Sequence, residues 1–298
     1  MEEQNNFNEL QGSFTAEDLS VAKLFTGRLA LLDADRIKYL VPDRIWKIKQ
    51  ENEMKGVSDV FLKEELVITE ARNWVQDWLM KIDDPILFCF SDNSKDVFRS
   101  HVVSEKKYKG NRKKDPNYRF YEGKDEDMFK SAEFVIKNYN SLLIDGLEAD
   151  DILSALQDAD NTYIISNDKD LKQVPGYHYN ENTNLIELVD NKSAMEHLVK
   201  QMITGDSTDN ITGIPKRGEK YAQQFIEKVE PKYYFPYLIS EYQKSYNSLT
   251  RGAEAFVENF TLIKMKSDRG DYFKQKHAAM FDKKQMLINQ IKEKEDRK

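Results

Sequence analysis

Cysteine is almost absent from this chain, which has only Cys89 among its 298 residues. A single thiol cannot form an intrachain disulfide or a cysteine-rich zinc site, so a disulfide-stabilised scaffold is excluded. Histidine is also rare, and the four histidines lack the spacing of metal ligands: they are His101, His178, His197 and His277. Any metal ion would therefore be held mainly by oxygen atoms, which favours Mg²⁺ or Mn²⁺.

Long apolar runs are missing as well. The mean hydropathy is -0.72, and no stretch reaches the roughly 18 apolar residues of a membrane span. We expect no membrane partner. Residues 1–18 are polar and acidic, without the basic start and apolar stretch of a secretory signal, so we expect a cytoplasmic protein. Hydrophobic residues still make up 40% of the chain, which is enough for a folded core.

Glycine and proline are few, at 12 and 7, so domain boundaries must come from the hydrophobic pattern. Residues 1–27 are predicted to be a polar N-terminal extension. Residues 28–190 alternate short apolar strands with amphipathic helices, which is typical of an α/β core with a mostly parallel sheet flanked by helices. Residues 191–298 are predicted to be helical.

The predicted elements of the core follow one another in regular order. Strands are expected at 28–33, 85–92, 141–145 and 162–166, helices at 66–82, 128–139 and 149–159, and a hairpin at 177–189.

Acidic residues follow the predicted strands. In open parallel sheets, ligands bind beyond the carboxyl ends of the strands. The acids at or after four strand ends, and in a later turn, are Asp33, Asp92, Glu148, Asp150, Asp151, Asp168, Asp170, Asp206 and Asp209. The acids of any one cluster could simply cap the start of a helix. Together at one edge they would repel one another without cations, which indicates a site for two divalent ions.

Cations are concentrated in one long, charged connection, residues 93–127, although the formal net charge of the chain is -7. Six of them fall within nine residues: Lys106, Lys107, Lys109, Arg112, Lys113 and Lys114. A solvated charged face is one interpretation. The interleaved Tyr108 favours another, in which lysines neutralise phosphates while the aromatic ring stacks on a base.

Six ordered segments resemble the bacteriophage 5′ to 3′ exonucleases of the flap endonuclease, or 5′ nuclease, superfamily: LLDAD, FSDN, YKGNR, LEADD, IISNDKD and GDSTDNITGIPKRGEKYA. The resemblance covers about residues 31–222. It implies a PIN-like core, an arch or gateway within 93–127 and a helix-hairpin-helix at 205–228. It also implies a monomer that hydrolyses DNA at or near 5′ ends, as an exonuclease or also on flaps, in phage DNA replication or degradation within the host cytoplasm.

The resemblance also implies roles for single residues. The first metal would be held by Asp33, Asp92, Glu148, Asp150 and Asp151, and the second by Asp168, Asp170, Asp206 and Asp209, with Asp35 as an outer acid. The ions would be Mg²⁺, with Mn²⁺ as a substitute. Lys109 and Arg112 would contact the scissile phosphate. Lys106, Lys107, Lys113 and Lys114 would steer the DNA.

The hairpin segment departs from the family pattern. Its expected DNA-binding residues are Gly213, Lys216, Arg217, Gly218 and Lys220. The family carries glycine, an apolar residue and glycine where this chain has Lys216, Arg217 and Gly218, which argues against K⁺ binding by the hairpin carbonyls. Direct phosphate contact by the two cations would replace it. A simple turn between two helices is the alternative.

Two other functions stay open at this point. A PIN-like endoribonuclease would gather fewer acids and would lack the hairpin. A structure-specific DNA-binding protein with a degenerate site would need no complete acid set. Nuclease assays with and without magnesium distinguish them.

Overall fold

The computed structural model describes residues 27–55, 63–92, 97–111, 124–266 and 271–297. Within these ranges one six-stranded sheet forms, with strand order β3-β2-β1-β4-β5-β6. The strands are β1 Leu29–Asp33, β2 Ile86–Phe90, β3 Ser141–Leu143, β4 Thr162–Ile165, β5 Gly176–Asn180 and β6 Leu185–Val189. The first five are parallel, and β6 pairs antiparallel with β5. The predicted α/β core and its terminal hairpin are confirmed.

Ten α-helices occur in the same ranges. They are α1 Ile37–Met54, α2 Lys63–Lys81, α3 Lys124–Asn138, α4 Ala149–Leu156, α5 Asn191–Thr204, α6 Glu219–Lys228, α7 Tyr234–Ser245, α8 Leu249–Ile263, α9 Asp271–Lys276 and α10 Ala278–Glu295. None of these helices is both long and apolar enough to cross a bilayer.

The central strands are buried on both faces because helices cover each side. In β1, Ala30 and Leu32 belong to one core with helices α1, α2 and α3, while Leu29 and Leu31 belong to a second core with α4 and α10. This alternation is the period of two that a strand imposes on its side chains. Burial on both faces explains why these strands are continuous apolar runs.

Helix α1 was not predicted. Its buried residues include Ile37, Val41 and Ile45, which recur every four positions as one face of a helix. Pro42 lies inside the helix, where proline is normally unfavourable, and it interrupts the sequence signal. Only a short 3₁₀ turn separates the helix from the end of β1.

A third core lies among α5 to α8. The C-terminal helix α10 does not join it, since Met280, Leu287 and Ile291 pack under the sheet with the second core. The packing therefore crosses the boundary predicted at residue 191. Residues 1–26 of the predicted extension and residues 93–96 and 112–123 of the predicted arch, with Arg112, Lys113 and Lys114, lie outside the described residues.

Candidate active site

The acids converge at the carboxyl edge of the sheet. Asp33 ends β1, Asp150 lies in the first turn of α4, and Asp168 caps the 3₁₀ turn Lys169–Gln173 that follows β4. A cleft of about 170 Å³ opens at this edge. Its acidic lining residues are Glu148, Asp150, Asp168, Asp170, Asp206 and Asp209, with Arg99, Tyr108, Lys109 and Gln201 among the others.

The carboxylates at the centre of this edge repel one another. Burial raises the pKa of Asp33 to about 7, and the negative charge of Asp35 adds to the effect. Burial also raises the pKa of Asp150, with further contributions from Asp33 and Asp168. Asp33 and Asp150 therefore lie close enough to interact, although Asp33 is not exposed in the cleft wall.

A second group forms beside the first. Burial raises the pKa of Asp170 to about 7, and repulsion from Asp168 and Asp206 contributes. Asp206 belongs to the turn after α5, whereas Asp168 and Asp170 follow β4, so the group joins the sheet to the helical region. A nearby cation would favour the ionised form of these carboxylates and lower their pKa values again.

Glu148 differs because cations of the chain already accompany it. Burial opposes its ionisation, but Lys109 and Arg99 outweigh burial and lower the pKa of Glu148. The Lys109 Nζ lies 2.5 Å from Glu148 Oε1 and 3.8 Å from Asp209 Oδ2. The structure thus brings the predicted catalytic lysine into the acid cleft.

Tyr108 does not present its ring to solvent. The side chain is 9% exposed and packs in the third core. Its hydroxyl oxygen lies 2.8 Å from Asp209 Oδ2 and 3.0 Å from Glu148 Oε2. The predicted stacking of this ring on a base is incompatible with its burial. The Tyr108 hydroxyl group instead contacts the carboxylates of Glu148 and Asp209, and so it links the start of α4 to the turn after α5.

The basic segment docks on the acidic turn through its backbone. Lys109 N donates to Asp209 O at 2.9 Å, Asn210 Nδ2 to Lys107 O at 2.9 Å, and Asn111 Nδ2 to Ser207 O at 2.6 Å. Lys109 adopts a left-handed φ of 53° to make this turn. Lys106 and Lys107 are exposed beside it, as their predicted role in steering DNA would require.

Asp151 was predicted to share the metal site, but the structure places it behind the cleft. Its side chain is fully buried, and Arg99 binds both of its oxygens, Nη1 to Oδ2 at 2.5 Å and Nη2 to Oδ1 at 2.9 Å. Lys266 N also donates to Oδ1 at 2.9 Å. These contacts occupy the carboxylate. Arg99, which the sequence patterns did not single out, also contacts Glu148 at 2.8 Å and so orients it.

Asp92 and Asp35 also lie outside the cleft lining. Asp92 Oδ2 accepts from Gly146 N at 2.8 Å and holds the turn that leads to Glu148. Asp35 Oδ1 accepts from Lys38 Nζ at 2.6 Å and from Ser91 N at 3.1 Å. In these positions both acids fix the ends of neighbouring strands.

A pair of buried glutamines supports Asp170. Gln201 Nε2 donates to Asp170 Oδ1 at 2.8 Å, and Gln173 Nε2 donates to Gln201 Oε1 at 3.2 Å. Gln173 also binds Ile263 O at 3.0 Å and accepts from Met265 N at 2.9 Å. Glutamines are common in helices, so the sequence contained no signal for this network.

The oxygen atoms that line the cleft are suitable ligands for a hard divalent cation. Six carboxylates line one cleft, two of them, Asp150 and Asp170, with raised pKa values, and carboxylate oxygens are the ligands that Mg²⁺ prefers. Within the described ranges, however, no three acidic, histidine or cysteine side chains are grouped closely enough to hold one ion. A bound ion would therefore take one or two protein ligands and complete its shell with water, as Mg²⁺ commonly does.

The hairpin lies between α5 and α6. Gly205 and Gly213 touch backbone to backbone, since a Cβ on Gly213 would lie 2.3 Å from Gly205 N. Gly213 is buried and shapes the turn, so it is not open to DNA as predicted. Lys216, Arg217, Gly218 and Lys220 are exposed at the start of α6. Lys216 has a left-handed φ of 62°, the conformation for which glycine is usual.

Comparison with known sequences gives two related proteins. The chain is 30% identical over 155 residues to a 5′-3′ exonuclease of Buchnera aphidicola subsp. Schizaphis graminum, which is 46% of this chain and 50% of that protein. It is 28% identical to the 5′-3′ exonuclease of the Acyrthosiphon pisum strain, over 51% of that protein. The chain thus matches about half the length of these curated relatives. No family model matches it.

Comparison with solved structures covers more of the chain. The bacteriophage T5 5′-exonuclease bound to zinc aligns with 89% of this chain and 98% of its own, with a TM-score of 0.52 and 19% identity. The T5 flap endonuclease in a complex with DNA and metal ions aligns with the same values. This chain therefore has the fold of the bacteriophage T5 5′-exonuclease.

Proposed function

We propose that this protein is a metal-dependent 5′ nuclease that hydrolyses DNA phosphodiester bonds at or near 5′ ends, with Mg²⁺ as its ion. The observation that carries the proposal is the cleft at the sheet edge, which is lined by Asp150, Asp168, Asp170 and Asp206 together with Lys109, and next to which Asp33 ends β1. The sequence similarity to two 5′-3′ exonucleases supports it. So do the metal ions and DNA in the T5 structures.

Two pairs of acids would hold the ions, and water would complete the coordination of each ion. One pair is Asp33 with Asp150, and the other is Asp168 with Asp170, with the charge of Asp206 close to Asp170. When bound, such ions supply an activated water and neutralise charge on the attacking and leaving oxygens. The chain's part is to hold these carboxylates: Ser166 donates to Asp33 Oδ2 at 3.1 Å, and Gln201 fixes Asp170.

Lys109 would bind the phosphate that is cut. Its ammonium group lies between Glu148 and Asp209 on the cleft wall, so a small side-chain movement would bring it to an oxygen of the scissile phosphate. A cation there stabilises the negative charge that develops as the bond breaks. Tyr108 and Arg99 would keep Glu148 oriented while Lys109 exchanges partners.

The hairpin would hold the duplex portion of the substrate. Lys216 and Arg217 are exposed in the turn that precedes α6, with the Arg217 guanidinium over the Tyr221 ring, and Gly218 at the helix N-cap leaves open space for a close approach of phosphate. Backbone amides at a helix start attract anions. Such contacts give affinity without base sequence preference.

The test is digestion of 5′-labelled and 3′-labelled substrates side by side, as duplex, flap, single-stranded DNA and RNA, with Mg²⁺ or with chelator. We expect Mg²⁺-dependent products released from the 5′ end of DNA. Asp150→Asn should abolish cleavage, while Asp160→Asn, an exposed acid outside the cleft, should cut normally. Cleavage of RNA alone would favour an endoribonuclease, and binding without any cleavage would favour a DNA-binding protein.

A further inference from the structure

A second groove, of about 730 Å³, lies beside the acid cleft and plays no part in the function proposed above. Met265 lines both cavities, so the two are neighbours. The groove floor includes Gly146 and Leu147, which lead directly into Glu148. The groove therefore lies within reach of a polymer that occupies the cleft.

Aromatic rings line the groove. Phe98, Phe260 and Phe273 are each only partly buried, so part of each ring faces the cavity. The Lys266 Nζ lies 3.9 Å from the centroid of the Phe98 ring. The rings of Phe273 and His277 lie 4.6 Å apart. Flat faces of this kind accept unstacked bases, whereas the bases of a duplex are already stacked on each other.

Cations accompany the rings. The residues that line the groove include three lysines, Lys264, Lys266 and Lys276, and one acid, Asp145. Lys276 is exposed, and Lys266 is half-buried over Phe98. Alternating cations and aromatics form the usual binding surface for a single-stranded nucleic acid, in which lysines neutralise phosphates and rings stack on bases.

We propose that this groove binds the single-stranded segment of the DNA next to the cleft, without sequence preference. Phe273 would stack on a base, Phe98 would hold Lys266 in place through its ring, and Lys266 and Lys276 would neutralise phosphates. That the nucleic acid is DNA rests on the proposed function. That the groove suits a single-stranded nucleic acid rests only on the residues that line it. The excess of cations favours a polyanion over an apolar peptide as the occupant.

Binding is measured with Ca²⁺ in place of Mg²⁺, using a fluorescent single-stranded oligonucleotide and a blunt duplex. Replacing Lys266 and Lys276 together by alanine should flatten the dependence of log affinity on log salt for the single strand by up to about 1.4, because each phosphate contact contributes roughly 0.7. The duplex should be unaffected. Lys274→Ala is the matched control, since Lys274 is an exposed lysine of the same helix outside the groove lining.

Stacking is tested separately with Phe273→Leu, which keeps an apolar side chain in the second core. Single-strand affinity should fall by about fivefold, with an unchanged circular dichroism spectrum. A salt slope in the double variant equal to that of Lys274→Ala, equal losses on blunt duplex, or no single-strand binding by the parent protein would overturn the proposal. A protein that binds the single strand through this groove but cuts no DNA would instead refute only the nuclease function.

Discussion

Lys216 occupies a backbone conformation that suits glycine better than lysine. Its φ of 62° lies in the left-handed region, which costs an L-residue roughly 1–2 kcal/mol. Glycine avoids this cost but loses about 0.5–1 kcal/mol more backbone entropy on folding. The difference predicts that Lys216→Gly increases the free energy of unfolding by about 0.5–1 kcal/mol. Because the side chain is exposed, little packing is lost.

Lys216→Ala is the matched variant, because it removes the same charge and keeps the strained backbone. Thermal unfolding should therefore separate the two variants, with the glycine variant about 1–3 °C more stable than the alanine variant. Salt-dependent binding to duplex DNA should not separate them. Each should flatten the slope of log affinity against log salt by about 0.9, the contribution of one phosphate contact.

Two results would refute this reasoning. If the glycine variant melts no higher than the alanine variant, the left-handed conformation is not strained in the folded protein. If both variants keep the parent salt slope, Lys216 contacts no phosphate. Adding Arg217→Ala to Lys216→Ala should bring the total change in duplex slope to about 1.8, with a much smaller effect on single-stranded DNA.

Three further predictions concern the cleft and the core. Asp168→Asn with Asp170→Asn should greatly reduce Mg²⁺-dependent cleavage with DNA binding largely retained; unchanged cleavage would contradict their role. Lys109→Ala should slow single-turnover cleavage at saturating DNA more than it weakens affinity, and normal chemistry would assign Lys109 to steering. Burial raises the pKa of Asp84 to about 6, so the folded state loses stability as pH rises from about 4 through 6. Asp84→Asn should therefore raise the melting temperature more at pH 8 than at pH 4.5; an equal gain would exclude ionisation as its cause.

Much of the fold was predictable because burial on both faces leaves a strong signal. The runs at β1 and β2 are apolar at almost every position, and the helices between the later strands have clear apolar faces. Helix α1 was missed since Pro42 interrupts its pattern. The packing of α10 under the sheet was not predictable, because an amphipathic helix does not indicate which core it will join.

The acids of the cleft were predictable from topology. A parallel sheet brings its strand ends together, so residues far apart in sequence, such as Asp33 and Asp168, meet at one edge. The same rule could not distinguish the acids that line the cleft from the acids that bind other groups of the protein. The sequence predicts Asp151 and Asp92 at the same edge, but Arg99 binds Asp151 and Gly146 N donates to Asp92.

The contact between the basic turn and the acidic turn would let a chain of negative net charge bind the DNA of the proposed function at this place. Lys109 neutralises part of the charge of Glu148 and Asp209, and the backbone hydrogen bond from Lys109 N to Asp209 O keeps it there. Cations bound to the acids would take over that neutralisation and release the Lys109 ammonium to a phosphate. Metal binding and DNA binding should therefore be cooperative, with DNA affinity rising when Ca²⁺ is added. In Lys109→Ala this rise should be smaller, because no ammonium group is released, and an equal rise in both proteins would show that the exchange of partners does not occur.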